Sequence, residues 1–162
     1  MDISSEPVVS SEELSEDAYV SWHRLVEPRL RAALVAEFGA EPGRDATSEA
    51  LSYVWENRLR VLGLDNAAGY AFRVGQRWAR RQRTSSRRAF LIDDKAPVTP
   101  GFEPELHSAL AALSTRQRQV VVLCVGYGLT HAEVVALLGI SRSSVQNHVE
   151  RGLRHLRTEI GP

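Results

Sequence analysis

Apolar residues recur at intervals of three and four along most of the chain, the spacing that places them on one face of an α-helix. The first such stripe, Trp22, Leu25, Val26, Leu30, Leu34 and Phe38, predicts a helix from about Tyr19 that stops at Gly39 and the stretch Glu41-Pro42-Gly43. A second predicted helix covers Asp45 to about Leu62, with Asp45 as its N-cap, Ala50, Leu51, Val54, Trp55 and Leu59 as its apolar stripe, and Gly63 at its close. A third starts near Asp65 or Asn66 and continues through Tyr70, Val74 and Trp78. Further on, Leu106, Leu110 and Leu113 predict a short helix, and Thr115 to about Val125 another whose Val120, Val121, Leu123 and Cys124 are core candidates. The fold class expected is all-α.

Two stretches break the periodicity and divide the chain. Residues 1–17 carry Asp2, Glu6, Glu12, Glu13, Glu16 and Asp17 without a basic residue, and read as a solvated acidic arm. Between Asp93 and Pro104 lie Pro97, Pro100, Gly101 and Pro104, which exclude a continuous helix and read as an extended linker. The expected organisation is therefore an arm over 1–17, a small helical domain over 18–90, a Pro-rich linker over 91–105 and a second small helical domain over 106–160.

The most informative segment begins at Thr130. Thr130 and Glu133 stand at the S/T-x-x-E spacing of a capping box, where each side chain satisfies a free backbone donor at a helix start. Val134, Leu137 and Leu138 make that helix's buried face, and Gly139 suits the left-handed position that ends it. Ile140 fills the angle, Ser141 caps the next helix, and Val145, Val149, Leu153, Leu156 and Ile160 point inward. Arg142, Ser143, Gln146, Asn147, Glu150, Arg151 and Arg154 are left outside. This is a helix-turn-helix whose second helix carries the side chains that read base edges: arginine forks onto guanine, glutamine and asparagine onto adenine.

Charge sharpens the picture once it is read by segment. The 162 residues hold 20 Lys plus Arg against 20 Asp plus Glu, a formal net charge of zero. Yet Arg73, Arg77, Arg80, Arg81, Arg83, Arg87 and Arg88 follow one another with no acid between Asn66 and Leu91, an arrangement that repels itself unless a polyanion is near. Trp22, Trp55 and Trp78 lie on apolar stripes, Trp78 within the arginine run. The single Cys124 excludes an internal disulfide and reads as an inert buried thiol. No signal peptide or membrane-spanning run is visible, so a soluble cytoplasmic protein is expected, with no membrane partner. His23, His107, His131, His148 and His155 form no ligand cluster, and no phosphate loop, dinucleotide fingerprint or nucleophile elbow occurs. Neither a metal, a cofactor nor a catalytic site is expected, and the protein reads as a non-enzyme.

The arrangement resembles a bacterial RNA polymerase sigma factor of the extracytoplasmic-function (ECF) type, a member of the sigma-70 family with two helical domains. The resemblance spans about Tyr19 to Ile160. Leu113-Ser-Thr-Arg-Gln-Arg-Gln-Val-Val-Val-Leu and the helix-turn-helix are similar to the family's region 4, which reads the minus thirty-five promoter element. This implies Arg142, Ser143, Gln146, Asn147 and Arg151 as DNA contacts, with Arg116 and Arg118 as backbone contacts. Asp45-Ala46, Glu49-Ala50-Leu51 and Val54-Trp55 resemble the region 2 helix that docks on the polymerase clamp, implying Asp45, Glu49 and Trp55 as polymerase contacts. Tyr70 to Arg83 is similar to the helix that grips and melts the minus ten element, implying Arg73, Arg77, Trp78, Arg80, Arg81 and Arg83 there. Ser48 and Arg77 stand where the family usually has Gln and Asn. The partners implied are core RNA polymerase, promoter DNA and an anti-sigma factor. Two other readings stay open on the residues alone: a conventional helix-turn-helix regulator, and a diverged sigma-like chain that binds polymerase or an anti-sigma factor without opening promoters.

Overall fold

The computed structural model describes residues 11–86 and 104–161; Arg87, Arg88 and the expected linker up to residue 103 lie outside the described residues, and Pro104 and Glu105, expected in the linker, begin a helix, where proline is accepted in the first turn. Eight α-helices and one π-helical turn make up the described chain, with no strand among them: α1 (Ser11–Phe38), α2 (Ala40–Glu56), α3 (Arg58–Val61), α4 (Ala67–Ser86), α5 (Pro104–Ala112), α6 (Thr115–Val121), the π-turn (Val122–Gly126), α7 (His131–Leu138) and α8 (Arg142–Ile160). The all-α expectation holds. Helices α1 to α4 form an N-terminal lobe and α5 to α8 a C-terminal lobe.

In the N-terminal lobe the boundaries differ from those expected, and each difference has a physical cause. Helix α1 begins at Ser11, so residues 11–17 of the expected acidic arm are helical, with Ser15 buried. Its apolar stripe is narrower than predicted: Val26, Leu30, Ala33, Leu34 and Phe38 are buried, whereas Leu25 is 65% exposed. Helix α2 starts at Ala40, not Asp45, so the Glu41-Pro42-Gly43 stretch is its first turn instead of a break. Pro42 is tolerated there because the N–H that proline lacks would have no intrahelical acceptor in the first turn of a helix in any case. Gly43 is required by contact: its buried Cα lies against the α1 backbone, where an added Cβ would overlap the Cα of Val35. Asp45 accordingly sits exposed on the body of α2 and is not its cap. Continuity fails again at Asn57, whose side-chain amide donates to the Tyr53 carbonyl (2.9 Å) and separates α2 from the short α3.

The C-terminal lobe follows its local signals closely. Ser114 and Gln117 form a capping box at the head of α6, and Thr130 with Glu133 forms another at α7. Gly139 takes the left-handed conformation, φ 68° and ψ 33°, and Ser141 accepts from the Ser144 N–H (3.1 Å) to start α8. Helix α6 ends sooner than expected, because residues 122–126 widen into the π-turn. Cys124 is half-buried there, and burial pushes its thiol above the ordinary value. Ile160, expected inward, is exposed at the end of α8.

The two lobes share one apolar core. Leu30, Leu34, Val54 and Phe72 on one side and Val120, Leu123, Val134 and Val145 on the other belong to a single cluster. Each large side chain removed from water here contributes roughly 1.5–3 kcal/mol. Polar groups stitch the rim of the seam. The Asn66 side-chain amide donates to the Ala136 carbonyl (2.7 Å), Arg118 Nε to the Ala36 carbonyl (3.0 Å), and Arg29 pairs with Glu133 (3.0 Å). Gly69 faces this seam, where an added Cβ would lie 2.6 Å from the Ala136 carbonyl oxygen.

Candidate nucleic-acid interface

Helix α8 displays the first candidate surface. Val145 is buried completely and fixes the helix rotation, which turns Arg142, Ser143, Gln146, Asn147 and Arg151 to solvent together. The Gln146 amide donates to Glu150 one turn on (3.1 Å), which orients it along the outer face. At the helix start the Ser141 hydroxyl lies 3.1 Å from that of Ser143 and 2.8 Å from that of Ser144, beside the backbone N–H groups of the first turn. That end of a helix attracts anions. His148 is half-buried behind the face, and burial, together with the positive charges of Arg116 and Arg151, pulls its imidazole below the ordinary value. Arg116 sits on α6, which packs against α8, and its Nη1 donates to the Gln119 side-chain oxygen (3.0 Å). The structure does not bring Arg118 to the same place: its contacts are to the Ala36 and Ala111 carbonyls, at the seam.

Helix α4 carries the second surface, on the other lobe. Ala71, Phe72, Gly75 and Ala79 are buried, so Arg73, Arg77, Arg80, Arg81 and Arg83 all face solvent. Arg73, Gln76, Arg77, Arg80 and Arg81 line a shallow hollow of about 430 Å³. Arg80 also pairs with Glu37 of α1 (3.3 Å), and the Gln76 amide donates to the same carboxylate (2.7 Å). Trp78 is half-buried against the core.

At the foot of α4 is a cluster that the sequence reading missed. Arg60 Nη2 donates to the Tyr53 hydroxyl (2.9 Å), and the Tyr53 and Tyr70 hydroxyls are 3.4 Å apart. The hydrogen bond from Tyr53, then that from Arg60, and the charges of Arg60 and Arg77 lower the Tyr70 pKa. Tyr70 continues the line of Arg73 and Arg77 at helical spacing, a signal that was present in the sequence; the joining of Tyr53 to it across two helices was not.

The polymerase-facing residues expected on α2 are placed separately. Asp45, Ser48, Glu49, Ser52 and Glu56 are exposed on its outer face. Trp55 is exposed by 38%, and it stacks edge-on to Tyr19 (5.0 Å between ring centroids) with the Arg58 guanidinium 4.3 Å above its ring. It is thus half structural, a pin between α1 and α2 with one edge outward.

Residues 104–156 match the family described as sigma-70, region 4. The C-terminal lobe is a sigma-70 region 4 domain. The matched residues take in α5, α6, α7 and most of α8. The whole chain also resembles the sigma factor RpoE, solved in complex with the anti-sigma factor NepR from Bartonella quintana. That likeness covers 88% of this chain and 96% of the other, with a TM-score of 0.63 and 19% sequence identity. The likeness concerns the fold of the chain, and the family match its C-terminal lobe. Among the described residues no helix is long and apolar enough to cross a membrane.

Proposed function

We propose that the protein is a promoter-directing subunit of bacterial RNA polymerase, a sigma factor of the ECF type acting in the cytoplasm. In this reading residues 18–90 work as region 2. Asp45, Glu49 and the outer edge of Trp55 dock on the polymerase clamp, while Arg73, Arg77, Arg80, Arg81 and Arg83, with Trp78, grip and open the minus ten element. Residues 106–160 work as region 4, with Arg142, Ser143, Gln146, Asn147 and Arg151 reading the minus thirty-five element and Arg116 steadying its backbone. An anti-sigma factor, the kind of partner with which the Bartonella sigma factor was solved, belongs to the same reading.

The observation that carries the proposal is the presence in one chain of two exposed cationic surfaces of different chemistry. One mixes arginine with amides and hydroxyls on a region 4 helix; the other is almost purely arginine around an open hollow. Amides and hydroxyls discriminate base edges, whereas arginines alone track phosphates. The test mixes the purified chain with core polymerase lacking sigma, followed by gel filtration and transcription from fragmented host DNA. Co-elution and new promoter-directed transcripts are expected, with Glu49→Lys weakening co-elution and Gln146→Ala removing the transcripts. A chain that ignores polymerase and binds a twofold-symmetric operator as a dimer would overturn the reading.

A further inference from the structure

Along α8, Ser144, His148 and Arg151 stand at i, i+4 and i+7, a single stripe that starts in the first turn of the helix. The stripe runs beside the contact with α6. Gly152, one turn beyond His148, is buried in that contact, where an added Cβ would lie 2.5 Å from a methyl of Val121 and 3.8 Å from the Cβ of Gln117. His148 is thus lodged at the edge of the contact, half-buried between the packed side of α8 and its outer face, whereas Arg151 is exposed. On α6, Arg116 is fixed by the Gln119 side-chain oxygen (3.0 Å), and the Gln119 amide donates in turn to Glu37 (3.0 Å) and to the Ala33 carbonyl (3.0 Å). At the head of the stripe the Ser144 hydroxyl is 2.8 Å from that of Ser141. A hydroxyl, an imidazole and a guanidinium on one line, with a second guanidinium anchored on the neighbouring helix, make a set of donors with no carboxylate in it.

We propose that Ser144, His148 and Arg151 seat one backbone phosphate of duplex DNA on this edge of α8, and that His148 takes up a proton as the phosphate settles. The inference rests on the reading of α8 as a helix that meets DNA, and it adds to that reading a contact and a dependence on pH. The helices packed against α8 are α5, α6 and α7. Of their charged and titratable groups among the described residues, Glu105, His107, Arg116, Arg118, His131 and Glu133, Arg116 alone acts on the His148 ring, and from α8 itself Arg151 does. In the free chain, burial and then those two positive charges disfavour the imidazolium, so the ring is neutral at neutral pH. A phosphate on the stripe brings the opposite charge. It offsets both guanidiniums and offers an acceptor to a ring N–H, which favours the protonated ring. The bound state then holds a proton that the free state lacks, over the window between the lower pKa of the free chain and the higher pKa of the complex. Affinity for DNA therefore increases as pH falls through that window and is level on either side of it.

The test uses the full chain with a labelled duplex of mixed sequence as the probe, at constant salt. Affinity is measured from about pH 8 to about pH 5.5, and the His148 ring protons are followed by NMR with and without duplex. A several-fold gain in affinity toward the acid end is expected, with the His148 titration moving upward when duplex is added. His148→Gln, never charged, should lose the pH dependence and stay at the weaker, alkaline level. His148→Arg, always charged, should lose it at the tighter level. His155→Gln removes the other histidine of α8 and should keep the dependence of the unmodified chain. Duplex binding whose pH dependence survives in His148→Gln would overturn the seat, as would a His148 titration that duplex leaves in place, and that second readout needs no variant. No duplex binding at any pH would overturn the seat as well. The reading of α8 is decided separately, by whether Gln146→Ala removes promoter-directed transcripts.

Discussion

The outer faces of α4 and α8 both carry arginines, but they set different residues between them. On α8, Arg142 and Arg151 bracket Ser143, Gln146 and Asn147, whose hydrogen-bonding groups distinguish one base pair from another. On α4 the line runs Arg73, Arg77, Arg80, Arg81, with Gln76 as the amide at the hollow, and that amide is already spent on Glu37. Their supports differ as well. The two helices of the helix-turn-helix are each started by a side-chain cap, whereas α2 has no side-chain cap and is positioned by packing against α1. One lobe is thus specified locally and carries a selective face; the other is specified by tertiary contact and carries a face suited to phosphates.

The strongest way to test that contrast is to attack the packing on which the N-terminal lobe depends. Gly43→Val places a branched side chain where even a Cβ overlaps the backbone of α1 at Val35. Neither helix can yield by rotating a side chain, so a loss of about 3 kcal/mol or more is expected, read as a lower midpoint in urea unfolding. By comparison, Thr130→Ala removes the box at α7 and should cost about 1 kcal/mol. Equal losses from the two variants would break the distinction between a packed lobe and a capped one.

The faces themselves can be separated by what each substitution does to sequence preference. On the proposed function, Gln146→Ala is expected to cost about 1–3 kcal/mol on the preferred duplex sequence and little on others, measured by competition between duplexes in the presence of polymerase. Arg77→Ala should weaken all sequences alike and reduce the slope of log affinity against log salt by about 0.7–0.9. A change of base preference in Arg77→Ala, with a normal salt slope, would show that α4 reads sequence and would erase the comparison.

The same contrast explains what could be read from the chain alone. Thr130, Glu133, Gly139 and Ser141 act within four residues of themselves, and the helix-turn-helix they specify is built as their spacing predicts. The start of α2 was misjudged because Glu41-Pro42-Gly43 is a helix breaker by local rules, and only the contact with Val35 turns Gly43 into a packing residue. Leu25 fits the helical stripe but lies outside the arc that the partner helices cover. Glu37 and Gln119 were invisible for a deeper reason: they are 82 positions apart, and no periodicity links a carboxylate on one lobe to an amide on another. The exposed arginines of α4 and polar residues of α8 were legible because a run of like charges along one helix, or an amide on a helix's polar face, shows directly in the sequence.

The smallest effect expected concerns Glu133, where capping and lobe contact meet in one side chain. Its carboxylate accepts from the Thr130 backbone N–H (2.8 Å) and hydroxyl (3.0 Å), and it pairs with Arg29. Those bonds, the backbone one foremost, hold its pKa below the ordinary carboxylate value. The folded pKa is depressed, so this group binds its proton less readily in the folded state than in the unfolded one. Its contribution is therefore complete above the unfolded pKa and is lost as pH falls through the folded one. Glu133→Gln removes that dependence while keeping an acceptor for the Thr130 N–H. Unfolding midpoints of the two proteins should then differ at neutral pH and converge as pH falls from about 5 toward about 3. A gap between them that stays constant across that range would mean that the Glu133 charge, and with it the Arg29 pair across the seam, contributes nothing to the folded state.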